Sequence, residues 1–190
     1  MKPWLNWLVI GALVAAVVFV WRGVVQVSVG DVNVNPGDPV RFPEVTGSNL
    51  EGRKYKLPGD FEGELNIVAL VFFGNHQSWV NSWVPTASRL TRENPKLHFY
   101  EIPTLTNDNK PFQGLIDGIM HSGIPDRTAR ESTITLYLDR RVFLKTAGLP
   151  NDRTIYLLLV DRQGKIYWRG DGVFTPELAV RLEEAIKAVQ

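Results

Sequence analysis

A chain of 190 residues without a single cysteine has no thiolate to offer. That removes disulfide exchange, thiol nucleophiles, CxxC redox chemistry and cysteine-ligated zinc or iron–sulfur centres. Its three histidines, His76, His98 and His121, are too scattered to read as a metal site, so neither metal nor cofactor is expected. His76 stands apart. It lies in Asn75-His76-Gln77-Ser78, between an apolar run and a helical pattern. Free backbone N–H groups at a helix start bind an anion or a partner's carboxylate. The same residues also serve for plain capping, by Asn75 or Ser78. No GxSxG, phosphate loop or paired-carboxylate spacing appears.

A second group of chemistry-bearing residues is Asp126, Arg127, Arg130, Glu131, Asp139, Arg140 and Arg141, on either side of an apolar stretch. Read from spacing alone, it is a solvated face with i,i+4 pairs such as Arg127 with Glu131. Charge elsewhere is balanced, 21 basic against 20 acidic residues for a net +1, with no basic tract. Nucleic acid is therefore not an expected partner.

The elements that position these residues follow from periodicity. Two apolar-polar stretches around Glu51-Gly52 predict a hairpin. Leu65 to Phe73 (LNIVALVFF) is an apolar run broken only by Asn66, as in a strand buried on both faces. A helix is expected from about Ser78 to Glu93, with Trp79, Trp83, Ala87 and Leu90 on its core face and a kink at Pro85. Leu97–Ile102 and Thr133–Leu138 read as strands. Phe112–Ser122 reads as a helix with Phe112, Leu115, Ile116 and Ile119 on one face. Asp139 is placed to cap a short helix that stops at Gly148. Thr154–Val160 and Lys165–Trp168 form a hairpin across Asp161-Arg162-Gln163-Gly164. Thr175 caps a last helix with Pro176 at its first position. The order is hairpin, βα, βα, βα, ββ, α, which implies an α/β fold with a mixed sheet covered on both faces.

Ahead of this domain, Trp4 to Trp21 carries no charge and one polar amide, Asn6. As a helix it would span about 27 Å, close to the hydrocarbon thickness. Tryptophans near both ends suit the interface. The expected organisation is a transmembrane signal anchor over residues 1–23, an extended linker over 24–41 and one domain over 42–190. Residues 4–21 would contact the lipid bilayer. Lys2 and the amino terminus against Arg22 favour an extracytoplasmic domain on a single-pass cell-membrane protein.

From about Phe42 to Val189 the order and several strings resemble membrane-tethered thioredoxin-like reductases and peroxiredoxins. LVFFGNHQSWVNSWVP is similar to their active-site strand, loop and helix, including Pro85. The resemblance implies a three-layer α/β/α thioredoxin-like fold and puts Gln77 and Val80 at the positions of the two redox cysteines. GLPNDRTIYLLLVDRQGKI is similar to the later segment in which a proline precedes a strand. Here Asn151, Asp152 and Arg153 intervene after Pro150. IDGIMHSGIPDRTARESTITLYLD and TIYLLLVDRQGKIYWRGDGVFTPE resemble bacterial relatives of a mitochondrial ATP synthase assembly factor that chaperones subunit a. That resemblance implies a non-catalytic protein whose partner is a protein subunit of a membrane complex. It makes the charged group from Asp126 to Arg141 a candidate partner surface and Asn75–Ser78 a candidate binding loop. Two alternatives stay open: a stable accessory subunit of a respiratory or photosynthetic complex, and a small-ligand binder or enzyme using the loop around His76.

Overall fold

The computed structural model describes residues 40–189; the expected membrane segment and nearly all of the expected linker lie outside them. Among the described residues no helix is long and apolar enough to cross a membrane. β1 (Val45–Asn49) and β2 (Lys54–Leu57) make the expected hairpin, turning at Gly52, whose φ of +84° favours glycine. β3 (Leu65–Val71), β4 (Leu97–Thr106), β5 (Ile134–Leu138), β6 (Tyr156–Asp161) and β7 (Ile166–Asp171) complete a seven-stranded sheet in the order β2-β1-β5-β4-β3-β6-β7. β3 pairs in parallel with β4 and β4 with β5, while the remaining neighbours are antiparallel.

Every residue of β3 is buried, because both faces of this central strand are covered. Alternation sends Val68 and Leu70 into a core with Tyr100, Ile102, Leu136 and Leu158, closed by Phe42, Phe61 and Phe143. Ile67, Ala69 and Val71 point the other way, against Val80, Trp83 and Leu90 of α1 (Gln77–Glu93) and Leu182 and Ile186 of the last helix. Phe143 belongs to α4 (Arg140–Thr146), so α4 lies on the first face and α1 on the second. That is the expected mixed sheet between helices.

Several expectations needed correction. β4 runs past Ile102 through Pro103 to Thr106. The proline is tolerated where β4 changes partners: Val71↔Pro103 is the last pair with β3, and Thr104↔Leu136 opens the register with β5. A 3₁₀ turn (Asn107–Phe112) precedes α2 (Gln113–Gly123), and the expected apolar face of α2 is not buried. Only Ile116 is covered, whereas Phe112 is 59% and Leu115 58% exposed. α2 is held by polar contacts instead: Tyr137 Oη donates to Asp117 (2.9 Å), and Gln113 Nε2 donates to Asp117 (3.2 Å) and Ser48 (3.4 Å). An unexpected short helix, α3 (Arg127–Ser132), follows Asp126, whose carboxylate accepts from Ala129 N at 2.7 Å. Its six residues are too few for an apolar period to register.

α1 continues through Pro85, which withholds an N–H from the Asn81 carbonyl. Asp139 caps α4 as expected, accepting from Arg141 N and Val142 N, and Gly148, at φ +62°, follows the helix end. α5 (Pro176–Val189) starts at Thr175, whose hydroxyl accepts from Leu178 N at 3.3 Å.

Candidate functional site

The parallel strands deliver their carboxyl ends to one edge of the sheet, where open α/β folds place their ligand sites. β3 leads there into Phe72, Phe73 and a short 3₁₀ turn (Gly74–His76), then directly into α1. The residue at the N-cap of α1 is His76, and it makes no side-chain cap bond. Asn75 and Ser78 are both exposed, and neither caps the helix, so that expectation fails. His76 does not project toward solvent. It is 4% exposed, with its ring stacked on Trp79 (4.6 Å, 9°) and edge-on to Phe73 (5.5 Å, 86°). Among the described residues its Nδ1 has no hydrogen-bond partner. Burial lowers its pKa, the Asp152 charge pulls it back up, and the Arg140 charge lowers it further. Within this loop His76 itself is thus packed into the fold, and its ring does not line the open polar pocket that a small-ligand site built on it requires.

Arg140 is the fastening of this edge. From the first turn of α4 it donates to Asp152 (3.0 Å), to the Phe72 carbonyl (2.9 Å) and to the Thr104 carbonyl (3.0 Å). Its guanidinium lies 4.8 Å from the Phe73 ring centroid and 5.7 Å from that of Phe72. One cation therefore joins the ends of β3 and β4 to the loop before β6. A planar group with several donors does this where a lysine could not.

The two residues that the resemblance sets at redox positions take different roles. Val80 is fully buried in the core beneath α1. Gln77 is half-buried, and its Nε2 donates to Asn81 Oδ1 (3.2 Å) and to Glu101 Oε2 (3.3 Å). Sequence reading passed over Glu101. It lies in β4, beside Ala69, facing α1, and is 8% exposed. Burial pushes its carboxyl up to about 7, against a small opposing effect of the Gln77 hydrogen bond. The signal was present: Glu101 is the only carboxylate within Leu97–Ile102, at a strand position buried on both sides of it.

The charged residues fall into two groups on either side of β5. Asp126, Arg127, Arg130 and Glu131 belong to α3 and its cap. Arg127 pairs with Glu131 at 2.8 Å, and Arg130 is spent on Glu51 (2.5 Å) and on the carbonyls of Ile124 (2.8 Å) and Pro125 (3.0 Å). Arg130 holds Glu51 below the usual carboxylate range. Asp139, Arg140 and Arg141 form the start of α4, and of these only Arg141 is fully exposed. Of the other histidines, His98 lies 3.9 Å from Glu62 and His121 lies 3.5 Å from Glu51. No group of three metal-ligating side chains occurs among the described residues. The bond before Pro150 is not cis; the single cis peptide among the described residues is Leu57–Pro58.

Residues 37–189 match the family model described as ATP10 protein. No curated protein matches the chain. Among solved structures it is similar to BsSco, described as a member of the Sco family of cytochrome c oxidase assembly proteins. That match has 16% identity, covers 78% of this chain and 95% of that one, and has a TM-score of 0.51. A protein from Chlorobium tepidum described as thiol:disulfide interchange protein DsbE matches with 15% identity over 79% of this chain and 95% of its own, TM-score 0.49. A thioredoxin-like protein from Aeropyrum pernix matches with 16% identity over 76% and 89%, TM-score 0.47. The fold is thioredoxin-like, and the redox pair of that fold is absent.

Proposed function

This chain belongs to the ATP10 protein family, the ATP synthase assembly factor family it resembles in sequence, and on that premise we propose that it is a membrane-tethered, non-catalytic thioredoxin-like protein that binds a subunit of ATP synthase during assembly. The family match across 37–189 carries the reading. The site agrees with it: Gln77 and Val80 supply no nucleophile, and Val80 is inaccessible. What the carboxyl edge of the sheet keeps is a rigid, aromatic and hydrogen-bonded surface, suited to holding a partner rather than transforming one. The uncharged run Trp4–Trp21 supports tethering, with the domain on the extracytoplasmic side.

The test is affinity capture of the full chain from detergent-solubilised membranes, against a control carrying the same anchor on an unrelated domain. Enrichment of an ATP synthase subunit in substoichiometric amount is the expected result. Equal recovery by the control would overturn the reading, and stoichiometric comigration with the finished complex would make the protein an accessory subunit instead.

A further inference from the structure

Glu101 is a carboxylate without a cation. It is 8% exposed, and its one hydrogen bond from a described residue is the 3.3 Å contact from Gln77. No charged side chain among the described residues acts on it; burial and Gln77 account for its shift. Among the described residues no donor reaches its Oε1. Gln77 Nε2 is shared between two acceptors, the carboxylate and Asn81 Oδ1, and among the described residues no donor reaches Gln77 Oε1. The three side chains together carry one carboxylate, two neutral amides and no cation, so only amide N–H groups are at hand to balance the carboxylate's charge. Gln77 and Asn81, one turn apart on α1, are half-buried, so the cluster meets solvent through them. A buried ionised carboxylate left in this state is costly, and a cation with several donors removes the cost.

We propose that Glu101, Gln77 and Asn81 form a recognition slot for a guanidinium group, an arginine side chain presented by the partner protein. Arginine fits because its planar fork donates to both carboxylate oxygens at once and still reaches the neighbouring amide oxygen. The proposal rests on the partner-binding reading above and adds the chemistry of the contact: the slot opens at Gln77, where a redox thiol would have stood.

The probe is N-acetylarginine amide, with N-acetylcitrulline amide as its uncharged analogue of the same shape. Each is titrated at pH 8 into full-length, isotope-labelled protein in detergent micelles, and the side-chain amide signals of Gln77 and Asn81 are followed. The arginine compound is expected to shift both at a half-saturating concentration about tenfold below that of the citrulline compound. Glu101→Gln, which keeps the shape, should remove the difference; an unchanged backbone spectrum shows that it folds. Equal half-saturation by the two compounds overturns the proposal, as does a preference for arginine that survives Glu101→Gln. Failure here with successful capture of an ATP synthase subunit refutes the slot alone; arginine selectivity without capture refutes the assembly role alone.

Discussion

Asn66 in β3 and Glu101 in β4 are both polar side chains inside the sheet, and they are supported in opposite ways. Asn66 is fully buried and fully used: its Oδ1 accepts from Gly63 N (3.1 Å), and its Nδ2 donates to the carbonyls of Gly63 (3.1 Å) and Val160 (3.2 Å). It stitches the loop before β3 to β6 at the edge where β3 begins. Glu101 lies nearer the carboxyl edge and has one long contact for two oxygens. A buried polar group whose partners all lie within the fold serves the fold. One whose partners are missing lowers stability and is tolerated where something outside the fold completes it. The difference sets the end of the sheet where β3 begins apart from the end where the proposed slot lies.

The sharpest way to break that comparison is Asn66→Ala. It leaves the Gly63 N–H without its partner and takes one donor from each of two carbonyls, of which that of Gly63 keeps Arg162 Nε, and the expected loss is about 3 kcal/mol in urea unfolding of the full chain in detergent. A loss below about 1 kcal/mol would put Asn66 on the same footing as Glu101.

Glu101→Gln should act in the other direction. The folded carboxyl titrates near 7 against an ordinary value of 4.5. Its contribution to stability is complete below pH 4.5 and is lost as pH rises to 7. The total is about 3 kcal/mol, since the unfolded chain releases the proton first. The variant should therefore match the parent at pH 4 and exceed it at pH 8. Parallel stability curves for the two proteins across that range would show that the carboxyl is not held in a low-dielectric site.

The contrast between these two residues also explains what could be read from the sequence. β3, α1 and α5 were legible because their apolar residues recur at the period of the element they form, and burial follows period. The places of Gln77 and Val80 came from the resemblance of the strand, loop and helix around them and from no period in the chain, and the structure adds only that Gln77 is half-buried and Val80 buried. α2 misled: Phe112 and Leu115 share a helical face, but apolar spacing says nothing of whether a partner surface exists, and what β1 and β5 offer α2 is polar, Ser48 and Tyr137 Oη. Long-range polar pairs left no local signal. Arg140 meets Phe72 and Thr104, and Gln77 meets Glu101, across separations that no window along the chain spans. The charged residues around β5 looked like one surface in sequence, while the strand between them divides them into a staple at Glu51 and a fastening at the carboxyl edge.

Arg140 offers the finest test, because it combines both conditions. Three acceptors hold its terminal nitrogens, yet its buried Nε has no partner. Arg140→Met keeps much of the stem and removes the charge, and it should cost about 2 kcal/mol, less than Asn66→Ala. The more telling readout is His76, followed through its ring proton by NMR. Arg140 lowers the His76 pKa and Asp152 raises it, both against a larger lowering by burial. Arg140→Met should move the midpoint up and Asp152→Asn should move it down, with both remaining below 6.5 because the ring stays packed between Phe73 and Trp79. Shifts of the same sign in the two variants would mean that the edge had loosened and admitted water, so that the fastening, and not its charge, governs this end of the sheet.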